Sequence, residues 1–71
     1  MTPWGRYYIK WKTLPQEGQE NFEGSIAVFG DSQYDAAARA IRAIGNTKFK
    51  DNPRAIILTE VNLTEVLGQD E

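Results

Sequence analysis

The chain has no cysteine and no histidine, and only one methionine and three prolines in 71 residues. Without cysteine there is no disulfide framework and no thiolate ligand, and without histidine the commonest general base and metal ligand are missing together. No cofactor and no metal ion is expected. Neither Gly-x-Gly-x-x-Gly nor Gly-x-x-x-x-Gly-Lys occurs, although Gly24 and Gly30 flank a candidate strand, so no phosphate-cradling loop is indicated. Carboxylates such as Asp31, Asp35, Asp51 and Glu60 are present, but no two are held by spacing within one rigid element as an acid and a base would be. These absences point away from an enzyme.

Positive charge is also in short supply: eight basic residues against ten acidic leave a net charge of −2. That balance argues against indiscriminate binding to DNA or to an anionic membrane, both of which need a basic excess. No apolar run approaches the roughly 18 residues of a membrane span, and the N-terminus lacks the basic-then-apolar pattern of a signal peptide. The expected location is the cytoplasm, where the glycosylation triplet Asn62-Leu63-Thr64 has no meaning.

What is there is concentrated in one segment. Trp4 to Lys12 holds four of the eight aromatic residues and three of the eight basic ones. As a strand, it places Tyr7, Ile9 and Trp11 on one face and Trp4, Arg6, Tyr8, Lys10 and Lys12 on the other. Thr13 to Asn21 reads as a mobile polar loop. A second strand over Phe22 to Phe29 puts Phe22, Gly24, Ile26 and Val28 together and Glu23, Ser25, Ala27 and Phe29 opposite. Ser32 caps a helix over Gln33 to Ile44, with Asp35 completing a capping box and Gly45-Asn46 supplying a left-handed end. Tyr34, Ala37, Ala38, Ile41 and Ile44 are the expected core stripe of that helix, and Ala36, Ala40 and Ala43 its smooth outer strip.

After a polar loop pinned by Phe49 and reset at Asn52-Pro53, Ala55 to Val61 opens as Ala-Ile-Ile-Leu, the pattern of a strand covered on both faces. Leu63 to Leu67 is expected to add a short edge strand or a helical turn, and 68–71 a frayed acidic tail. The doubled Thr-Glu-Val at Thr59 and Thr64 reads as too short to be a structural repeat.

The whole is a single α+β domain, 1–71, of order β-β-α-β: a sheet of three strands, with a fourth as the alternative, and one helix packed on one face. A right-handed crossover sets the third strand beside the first, which becomes central. A chain this short buries only about 60% of the surface its unfolded state exposes, so a partner or a second copy would add stability.

One helix covers one sheet face, which leaves Trp4, Arg6, Tyr8, Lys10 and Lys12 without a cover, with Lys48, Lys50 and Arg54 as an extension of the same patch. Trp, Tyr and Arg are residue types enriched at protein-interaction hot spots, so a protein partner is the leading expectation. Rings interleaved with cations also suit single-stranded nucleic acid, and Ile56 and Leu58, if turned to the same side, would favour a homodimer that buries the face. In size, acidity and element order the chain resembles the small single-domain proteins with which phages block host machinery, anti-CRISPR proteins among them. That resemblance implies an inhibitor of a host nucleic-acid-handling complex.

Overall fold

The computed structural model describes residues 4–67. Three strands and a helix follow one another as β1 (Trp4–Thr13), β2 (Glu23–Gly30), α1 (Gln33–Thr47) and β3 (Ile56–Leu67). They form a small α+β domain whose sheet runs β2-β1-β3, with both neighbours antiparallel to the central β1. No fourth strand is present among the described residues, and the tail expected at 68–71 lies outside them.

The alternation of β1 is complete: from Trp4 to Thr13 every second residue is buried and every other one exposed. Tyr7 and Ile9 pack on Ala36 and Ala40 of α1, and Trp11 packs on Ile44 and on Phe49 just beyond it. Ile26 and Val28 of β2 and Ile56, Leu58 and Val61 of β3 cover the flanks of this core. Ile56 and Leu58 therefore turn towards the helix, so they add no apolar patch to the opposite face. The molecule is a thin two-layer body, with a radius of gyration of 13.7 Å against about 11 Å for a compact chain of this length.

Ser32 caps the helix as its sequence predicts, but the expected capping box is displaced by one residue, Asp35 reaching the N–H of Asp31 and not that of Ser32. Ser32 Oγ accepts from the Asp35 N–H at 3.1 Å, while the Asp35 carboxylate takes the N–H of Asp31, also at 3.1 Å, and Arg39 Nε at 3.0 Å. The Asp31 N–H, helped by the Arg39 side chain and charge, holds the Asp35 carboxyl below the usual carboxylate range against the opposing effect of desolvation. The core stripe, however, is Ala36, Ala40 and Ile44, whereas Tyr34 is 79% and Ile41 44% exposed. Small side chains win this face because the helix sits close to the sheet: a Cβ on Gly30 would come within 2.8 Å of the Ala36 backbone nitrogen. Of the alanines expected as an outer strip, Ala36 and Ala40 lie inside the molecule and Ala43 is half-buried.

The helix also runs through Gly45 and Asn46 to Thr47, with Lys48 as a right-handed cap, and among the described residues only Gly18 has a positive φ. Two carbonyls of its last turns find donors without a left-handed residue: the Thr47 hydroxyl donates to Ala43 O at 2.7 Å, and the Lys48 N–H to Ile44 O at 2.9 Å. The added turn carries Phe49 onto Trp11, edge to face at 6.0 Å, and beside Phe22 at 5.7 Å.

β3 is an edge strand rather than a strand covered on both faces, and Leu63–Leu67 continues it without a break. Ten residues of β1 run beside twelve of β3, because β3 bulges between the partners of Lys10 and Trp11 and again between those of Arg6 and Tyr7. The surplus residues are Thr59 and Thr64, and each hydroxyl donates to a β1 carbonyl, Thr59 to Lys10 at 3.3 Å and Thr64 to Arg6 at 3.0 Å. The doubled Thr-Glu-Val is thus a structural repeat after all. Each copy gives a bulge threonine, a glutamate on the open face and a valine on the helix side. The two bulges restore the face pattern that a plain ladder would have lost.

Candidate functional site

The sheet face away from α1 is built by parity, row by row across β2, β1 and β3. Phe29, Arg6 and Glu65 lie abreast, followed by Ala27, Tyr8 and Asn62, then Ser25, Lys10 and Glu60, and finally Glu23, Lys12 and Ile57. The Arg6 guanidinium stands 5.5 Å from the Phe29 ring centroid and its Nη1 3.7 Å from Glu65 Oε1. Lys10 Nζ is 3.6 Å from Glu60 Oε1, and Asn62 donates to the second oxygen of the same carboxylate. All four charged side chains are about half exposed, so each pair contributes only about 0–1 kcal/mol to stability. Their larger effect is on the field. Three cations, Arg6, Lys10 and Lys12, share this face with three carboxylates, Glu23, Glu60 and Glu65.

Tyr8, 39% exposed, sits in the second row between Ala27 and Asn62, small or polar neighbours that leave its ring standing proud. Beside it a shallow hollow is bounded by Lys10, Lys12, Glu23, Ser25 and Thr59. Among the described residues no group of three or more His, Cys, Asp or Glu side chains is gathered as a metal site would need, and no helix is long and apolar enough to cross a membrane.

Of the residues expected here, Arg6, Tyr8, Lys10 and Lys12 share the face. Trp4 is exposed as the alternation requires, but its ring meets a side chain of the helix layer. The Arg39 guanidinium of α1 lies 5.1 Å from its ring centroid, which ties the indole to the helix at the end of the strand. The expected extension of the patch separates from it as well. Lys50 and Arg54 line a different hollow, with Ile41, Arg42 and Gly45 of the helix, and Lys48 is the cap of α1.

Arg54 is spent on the backbone, donating from Nη1 to Glu20 O at 2.6 Å and from Nη2 to Leu14 O at 3.1 Å. It clamps the β1–β2 loop, which is further held by Thr13. That buried threonine both accepts from the Phe22 N–H at 2.9 Å and donates to the Phe22 carbonyl at 3.3 Å. The loop expected to be mobile is tied down at both ends.

Sequence reasoning missed Glu60 and Glu65, together with Asn62 and Ile57, and although it turns Glu23 and Phe29 away from the core it does not count them in the patch. The Thr-Glu-Val repeat was the available signal. Its glutamates stand five apart opposite basic residues four apart, a mismatch that one bulge per repeat absorbs. Comparison with protein-family models, with curated proteins and with solved structures finds no match for this chain.

Proposed function

We propose that this chain is a non-enzymatic protein-binding module that docks through its open sheet face, with Tyr8 as the anchor and the charged rows as the selective rim. The observation that supports it is the charge pairing across the sheet. Arg6 and Lys10, the cations that would track a phosphate backbone, already face Glu65 and Glu60. A nucleic acid would have to break those pairs and meet the freed carboxylates, whereas a protein of mixed surface charge can extend them. An exposed tyrosine and an arginine stacked on Phe29 are side chains of the hot-spot type.

In keeping with the resemblance to phage inhibitors, host nucleic-acid-handling complexes are the first partners to try. The test is a cross-linking capture with the full chain as bait, the captured protein being identified by mass spectrometry. Tyr8→Ala combined with Arg6→Glu is expected to lose that protein while keeping a cooperative thermal melt. Undiminished capture by the folded variant overturns the proposal, as does tight, salt-sensitive binding of a single-stranded oligonucleotide in its place.

A further inference from the structure

The two sheet edges differ in how they are guarded. β3 is broken by two bulges and carries Glu60 and Glu65, both devices that keep an edge from accepting another strand. β2 has neither. Its register with β1 is unbroken from Glu23 to Gly30, and between Gly24 and Gly30 it holds no ionisable side chain.

The direction of its backbone groups follows from one bond. The Thr13 N–H donates to Phe22 O at 2.8 Å, which makes Thr13 and Phe22 a hydrogen-bonded pair at the start of the ladder. By alternation, Gly24, Ile26, Val28 and Gly30 also bond inward to β1, and Glu23, Ser25, Ala27 and Phe29 turn their N–H and C=O groups outward. Four residues of regular backbone thus have no strand partner among the described residues, and of these only Glu23, at the end of the edge, is charged.

We propose that a second copy of this chain takes up that edge, β2 against β2, antiparallel about a two-fold axis at Ala27. This register is self-complementary. Ala27 meets Ala27 of the second copy, Ser25 meets Phe29, and both are outward-bonding positions. Between them Ile26 meets Val28, so two half-buried β-branched side chains cover each other on the helix side. No charge opposes another between Gly24 and Gly30, and the carboxylates Glu23 and Asp31 form the next pair outward, at the two ends of the shared ladder. The product is one continuous six-stranded sheet with both helices on one side. Its other side is the open face repeated twice, so dimerisation consumes none of Arg6, Tyr8 or Lys10 and stands independently of the docking proposal.

Sedimentation equilibrium of the full chain over a dilution series from millimolar to micromolar tests this directly. The expected mass at high concentration is twice the 8.0 kDa of one chain. Ala27→Pro removes only an outward N–H and Ser25→Lys places a charge on the edge. Each is expected to leave a monomer, and Ser25→Lys also a cooperative melt, should the proline variant fail to fold. Tyr8→Ala is expected to leave the dimer intact. A monomer at every concentration overturns the proposal, as does a dimer that survives Ser25→Lys or one that Tyr8→Ala abolishes.

Discussion

Tyr7 and Tyr8 are the same side chain in consecutive positions, yet Tyr7 is 8% exposed and packs on Ala36 and Ala40, while Tyr8 is 39% exposed between Ala27 and Asn62. Nothing in their chemistry separates them. What does is the period of two along a strand, combined with the single helix of the described residues: parity sends one ring under α1 and leaves the other on a face that none of the described elements covers. The same division runs along all of β1, so the strand is at once the centre of the core and the spine of the candidate docking surface. Stability and the proposed binding fall to alternate residues.

The widest gap between the two faces should open with the tyrosines themselves. Tyr7→Ala is expected to cost about 3 kcal/mol or more, on the scale of deleting a core aromatic. Tyr8→Ala should stay within about 1 kcal/mol, and urea midpoints of the two variants measure the difference. Equal losses would mean that the open face is covered in solution.

A second contrast pits two glycines on the helix side. Gly30→Ala is expected to destabilise by about 1–3 kcal/mol because its Cβ would meet the Ala36 backbone, at 2.8 Å from the nitrogen. Gly45→Ala should instead stabilise by about 0.5–1 kcal/mol, since Gly45 is helical and nothing lies within 4 Å of the added methyl. Thermal melts of the pair give opposite signs if the helix sits as described.

The smallest effect belongs to the open face. A double-mutant cycle on Lys10 and Glu60 is expected to give a coupling of at most about 1 kcal/mol, falling as salt is added. A larger, salt-resistant coupling would mark the pair as shielded and would blur the distinction drawn from the tyrosines.

How much of this was legible depended on how strictly each segment alternates. β1 declares its faces residue by residue, and the order β2-β1-β3 follows from one helix and a crossover. The Ser32 cap is likewise written in the chain, because a hydroxyl before a polar first turn has few other uses. The core stripe of α1 was not legible: alanine is both the best helix former and the smallest residue that allows close packing, so Ala36 and Ala40 suit an outer strip as well as an inner one. β3 hid its register because its apolar start does not alternate and its two bulges reset the phase. With the register hidden, Glu60 and Glu65 could not be set against Lys10 and Arg6, and the face read as basic when it is balanced. Arg54 reads in the sequence as a surface cation because sequence does not say which arginines are occupied by carbonyls.

The two surplus threonines of β3 also bear on how this chain tolerates changes of length. A strand in strict register has no spare residue, and dropping one, such as Val61, exchanges inside for outside along the segment that follows. Thr59 and Thr64 are different: their neighbours on either side already face consecutive residues of β1. Excising either would close a bulge into plain ladder with every remaining side chain still on its own side. A family of such chains would therefore carry its gaps and insertions at these two points, five residues apart, in what is otherwise the least editable kind of secondary structure.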